Sequence, residues 1–141
     1  MKIRSPVLTL VLCLIITAAC GVNETNDSTQ TAAEALPTTA VRHVVVFRYR
    51  EAATDEEIIQ VTDAFRALKE KIPGILAFER GVNNSPEGLN HGFTHAYTLT
   101  FENAAARDAY LPHPDHAAFG ELLAELGVVE EVFVVDYTPL P

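Results

Sequence analysis

Apolar residues crowd Val41-Arg-His-Val-Val-Val-Phe-Arg-Tyr49, a β-prone run. His43, Val45, Phe47 and Tyr49 share one face of it, and Val44 and Val46 share the other, so both faces look at least partly buried. The period then lengthens. Ile58, Val61, Phe65, Leu68 and Ile72 recur at helical spacing and predict an amphipathic helix ending near Lys71. Thr54-Asp-Glu-Glu57 opens it as a capping box, and Pro73-Gly74 stops it. A short strand is predicted over Leu76–Val82, then a loop dense in turn residues over Asn83–Gly92. The next strand, Phe93–Glu102, puts His95, Tyr97, Leu99 and Phe101 on one face. Asn103 is placed to cap a helix over Ala104–Leu111. Beyond a proline-rich break, Phe119, Leu122, Leu123 and Leu126 make a second apolar stripe closed by Gly127. Val128–Tyr137 is the last strand.

The order strand, helix, strand, strand, broken helix, strand is the split βαβ pattern. It predicts an α+β, ferredoxin-like fold, with a four-stranded antiparallel sheet and helices on one face. The first and last strands look apolar on both faces, so the bare face needs a partner. A second copy packed sheet to sheet, as a two-fold homodimer, is the simplest answer.

The start of the chain reads differently. Lys2 and Arg4 precede an apolar run, Val7–Ile16, too short to span a bilayer comfortably. Thr17-Ala-Ala-Cys20 follows, which resembles a bacterial lipoprotein signal. That resemblance implies removal of residues 1–19 and a lipid on Cys20. An ordinary secreted protein cleaved nearby is the alternative. Residues 21–40 are polar and aperiodic, a flexible tether spanning roughly 25 Å. The expected organisation is a signal (1–19), a lipidated cysteine with tether (20–40) and one domain (41–141), anchored in a bacterial cell envelope. The outer membrane or the periplasmic face is the expected destination.

Charge and cysteines narrow the chemistry. The formal net charge is −9, and losing Lys2 and Arg4 with the signal takes it to −11. Nothing resembles a basic stripe, so nucleic acid is excluded as a partner. The cysteines are Cys13 and Cys20. The domain itself therefore has no disulfide, thiol nucleophile or thiolate metal site.

The candidate chemistry lies in Tyr110-Leu-Pro-His-Pro-Asp-His116-Ala-Ala-Phe119. Pro112 removes a helical donor and biases Leu111 away from helical angles. Pro114 suits the first position of a new helix, after His113. His116 then falls in a first turn, where the helix end disfavours imidazolium. It lies one turn before Phe119 and two before Leu123, on the edge of the buried stripe. A neutral imidazole beside the Tyr110 phenol is an acid–base pair; a histidine that only caps or packs is the plain alternative. The expected pocket lies between helices and sheet, lined by His43, Val45, Phe47, Phe65, His95, Tyr97, Phe119 and Leu123.

Residues 41–138 resemble the stress-responsive A/B barrel (Dabb) family. The features that carry this are Val41-Arg-His-Val-Val-Val-Phe-Arg, Ile72-Pro-Gly, Gly92-Phe-Thr-His95, the Tyr110…His113-Pro-x-His116 elbow with Phe119, and Val135-Asp-Tyr-Thr-Pro139. The resemblance implies a dimeric α+β barrel. A plant cyclase of this family closes a polyketide chain by aldol chemistry through a tyrosine and a histidine six residues apart across this elbow. Tyr110 and His116 match them, His43 matches a first-strand pocket histidine, and His95 matches the third-strand histidine. Phe65 stands where that enzyme has a pocket tyrosine, so the substrate class is not carried over. Other members are stress-protective proteins with no assigned reaction. A small-molecule binder or cofactor-free enzyme and a structural dimer are thus both open. Other dimeric α+β barrels bind haem, but no ligand spacing here repeats a metal site, and no cofactor is expected.

Overall fold

The computed structural model describes residues 36–140; Cys20, its signal and most of the tether lie outside the described residues. The elements are β1 (Val41–Tyr49), α1 (Asp55–Lys71), β2 (Ile75–Val82), β3 (His95–Phe101), α2 (Ala104–Tyr110), α3 (Pro114–Leu126) and β4 (Val129–Tyr137). The strands form one antiparallel sheet in the order β2-β3-β1-β4. This is the split βαβ arrangement, with β1 and β3 central.

Local chemistry sets the boundaries. Thr54 and Glu57 make the reciprocal capping box at the start of α1. Asn103 accepts from the Ala106 N–H to start α2, and Gly127 ends α3 at φ 62°. β3 begins at His95 rather than at Phe93, because the Phe93 N–H closes a turn onto the Asn90 carbonyl.

The helices cover the face bearing His43, Val45 and Phe47. Val61, Phe65 and Leu68 of α1 and Ile72 just after it are buried against it, as are Tyr110 and Phe119. Leu99 and Phe101 of β3 complete that core.

Among the described residues no helix covers the other face. Paired residues share a face, so Val44 lies with Val135 and Val46 with Ala96 and Phe133. Phe133 is 52% exposed and Val135 41%. The loop after β2 brings Leu89 and Phe93 over the same side, and a groove of about 430 Å³ runs between them and Val46.

Candidate functional site

The elbow between α2 and α3 follows from its two prolines. Pro112 has no N–H, so the α2 ladder ends at Leu111, whose N–H donates to the Arg107 carbonyl. The His113 N–H then donates to the Tyr110 carbonyl and closes the turn. Leu111 does not leave the helical region as expected; its φ of −57° and ψ of −46° are helical. The missing donor at Pro112 breaks the helix, not the angles of the residue before it. His113 caps α3, its Nδ1 accepting from the Asp115 N–H at 3.2 Å, with Pro114 in the first turn.

This turn brings His116 back over Tyr110. The ring centroids are 4.2 Å apart and the planes are tilted by 36°. His116 Nδ1 lies 2.9 Å from the Leu111 carbonyl oxygen. A carbonyl only accepts, so Nδ1 carries a proton; in the neutral ring Nε2 then holds the lone pair. Tyr110 is 1% exposed. Burial first, and then the negative charge of Asp136, push its phenol above the usual range. The hydroxyl therefore stays protonated and is available as a donor.

His43, 6% exposed, also meets Tyr110, with ring centroids 5.6 Å apart. Its Nδ1 lies 2.6 Å from Asp136 Oδ1. Asp136 is the residue directly opposite His43 on β4. The other carboxylate oxygen of Asp136 accepts from Arg107 Nη1. Neither Asp136 nor Arg107 was among the residues expected from sequence. The signal was present in both. Asp136 is the one charged residue in the inward row Val132, Val134, Asp136, and Arg107 sits three residues before Tyr110, on the same side of α2.

His43, Tyr110 and His116 wall a cavity of about 250 Å³. Phe47, Phe65 and Phe119 give it an aromatic lining, with Phe65 and Phe119 stacked at 4.7 Å. Val45 and Leu123 add to it, and Val132 and Val134 form its β4 side. The cavity thus gathers His43, Tyr110 and His116 at one apolar space.

His95 and Tyr97 lie elsewhere. They line a separate recess of about 270 Å³ with Arg80, Gly81 and Val82. Strand order explains the separation: the sheet residues of the elbow cavity belong to β1 and β4, and those of the recess to β2 and β3, on the other side of β1. The Tyr97 hydroxyl is engaged by Thr62 at 2.9 Å and Tyr49 at 3.0 Å. His95 Nδ1 is 2.9 Å from the Thr94 hydroxyl, and burial, then Arg80, lower its pKa. Among the described residues no group of three or more His, Cys, Asp or Glu side chains is arranged to hold a metal ion.

Known proteins resemble this chain in sequence and in fold. The stress-response A/B barrel domain-containing protein HS1 of Arabidopsis thaliana is 32% identical over 99 residues, covering 70% of this chain and 89% of that protein. Olivetolic acid cyclase of Cannabis sativa is 26% identical over 100 residues, covering 71% and 97%. Among solved structures, the hydroxynitrile lyase of Passiflora edulis superposes with a TM-score of 0.66 at 26% identity, covering 74% of this chain and 96% of its own. A dimeric protein of ferredoxin-like fold from Bacteroides fragilis gives 0.55 at 32% identity, covering 72% and 97%. The family pattern of the stress responsive A/B barrel domain spans residues 41–139, and the chain belongs to that family, Dabb.

Proposed function

We propose that the elbow cavity binds a small apolar or aromatic molecule and that Tyr110 and His116 carry out acid–base chemistry on it. The contact of these two rings on the wall of an aromatic cavity carries this reading. The Tyr110 hydroxyl donates to an oxygen on which negative charge develops, and His116 Nε2 takes a proton. A cyclase and a hydroxynitrile lyase among the relatives support a reaction at this cavity. At about 250 Å³ the cavity is smaller than sites for drug-sized ligands, so the ligand is of one-ring or short-chain size.

A thermal-shift screen of aromatic aldehydes, phenols and β-diketones against the protein tests this. A stabilising compound whose effect disappears in His116→Ala and Tyr110→Phe is the expected result. The rival reading is a stress-protective structural dimer, in which these rings are only core. In that case no compound stabilises the wild type, and His116→Ala costs about 1–3 kcal/mol by leaving polar groups unpaired.

The proposal extends to assembly and location. The open sheet face joins a second copy in a dimeric α+β barrel; its exposed Phe133 and Val135 and the dimeric Bacteroides fragilis relative support this. Cys20 carries a lipid that anchors the domain in the cell envelope, on the strength of the apolar run and Ala18-Ala19 before it. Cys20→Ser should leave the precursor uncleaved and unlabelled by a palmitate analogue. Unchanged labelling would rule the anchor out.

A further inference from the structure

We propose that His43 is a second proton acceptor of the elbow cavity, held in one tautomer by Asp136, whose orientation Arg107 fixes. The acceptor role rests on the reading of the cavity as a binding site, but the clamp behind it does not.

The argument runs outward from the ring. His43 Nδ1 is 2.6 Å from a carboxylate oxygen, and an ionised carboxylate only accepts. Nδ1 therefore carries a proton, and the neutral ring has its lone pair at Nε2. His43 lines the cavity beside Tyr110, as His116 does, and on this proposal its Nε2 lone pair serves the same space. Asp136 is in turn held at both oxygens, Oδ1 by His43 and Oδ2 by Arg107. Arg107 is itself fixed from behind, its Nε donating to Asp108 at 2.8 Å. A guanidinium has donors and no acceptor, so each bond can be made only one way: His43 and Arg107 both donate to Asp136, and Arg107 donates to Asp108. The Tyr110 donor is thus flanked by two acceptors. That array suits a ligand carrying two hydroxyl or acidic C–H donors about one carbonyl oxygen.

The clamp makes an unusual prediction for Asp136→Asn. Arg107 can only donate, so it takes the amide oxygen and turns the amide NH₂ toward His43. Nδ1 must then accept, and the ring proton moves to Nε2. Adding Arg107→Met frees the amide to rotate, and the Nδ1–H tautomer returns. Long-range proton–nitrogen NMR reads this directly on the full chain, ¹⁵N-labelled at histidine and held in detergent micelles. The expected series is Nδ1–H in the wild type, Nε2–H in Asp136→Asn and Nδ1–H in the double variant. A wild-type ring protonated only at Nε2 overturns the proposal without any variant needing to fold. A single variant that keeps Nδ1–H overturns the clamp, and a double variant that stays at Nε2–H removes Arg107 from it. Phenol, a one-ring hydroxyl probe, should shift the His43 Nε2 resonance. An Nδ1–H ring whose Nε2 ignores phenol overturns the acceptor role, and leaves the Tyr110–His116 chemistry to its own screen.

Discussion

Tyr110 and Tyr49 each hold a phenol where ionisation is unfavourable. Burial comes first in both; the charge of Asp136 adds to it at Tyr110, and the hydrogen bond to Tyr97 adds to it at Tyr49. An acid raised in the folded state contributes stability below its unfolded pKa, near 10 for tyrosine, and loses it as pH rises above that value. Unfolded phenols then ionise while folded ones do not. The urea midpoint should therefore drop from about pH 10 upward. Tyr110→Phe should shallow that drop, and an equally steep fall in the variant would place its origin elsewhere. At this scale the sequence was legible where one short stretch held both partners. Tyr110 and His116 could be paired because seven residues span them, across the break between α2 and α3. Asp136 could not, because it meets His43 only through the pairing of β1 with β4, across 93 positions of chain.

Helix ends and turns were legible for the same reason, since caps and breakers act within a few residues. Thr54→Ala should cost about 1 kcal/mol by opening the capping box at α1. Two glycines separate strain from packing. Gly88 has φ +69° with open space where a Cβ would go. Gly74 has φ +87°, and a Cβ there would stand 2.6 Å from the Ala106 side chain on α2. Gly88→Ala should cost about 1–2 kcal/mol in left-handed strain alone. Gly74→Ala should cost more, because it also pushes on α2, and paired denaturation curves measure the difference. Equal costs would mean that α2 gives way freely. The position of His95 was the harder element-scale question. Its face on β3 could be read from the alternation, but its exclusion from the elbow cavity depends on strand order, β3 and β4 lying on opposite sides of β1, which the alternation does not specify.

For the molecule as a whole, the two apolar faces of β1 already implied a partner for the bare side of the sheet. What they did not show was the state of β4, an edge strand whose outward Phe133 and Val135 stay largely exposed in the single chain. Light scattering on the domain from Glu34 onward, one compact unit, should give twice the monomer mass. Val46→Glu should split or unfold that dimer, since an unpaired carboxylate at such a seam costs several kcal/mol. A stable wild-type monomer would contradict the pairing. β4 also has a second side. Val132 and Val134 wall the elbow cavity, while the alternate residues, Phe133 and Val135, lie on the open face. One strand thus borders both places. If filling the cavity moves β4, occupancy and association are thermodynamically linked, and the coupling must be reciprocal. Whatever factor a ligand adds to self-association, self-association must add to the ligand's affinity.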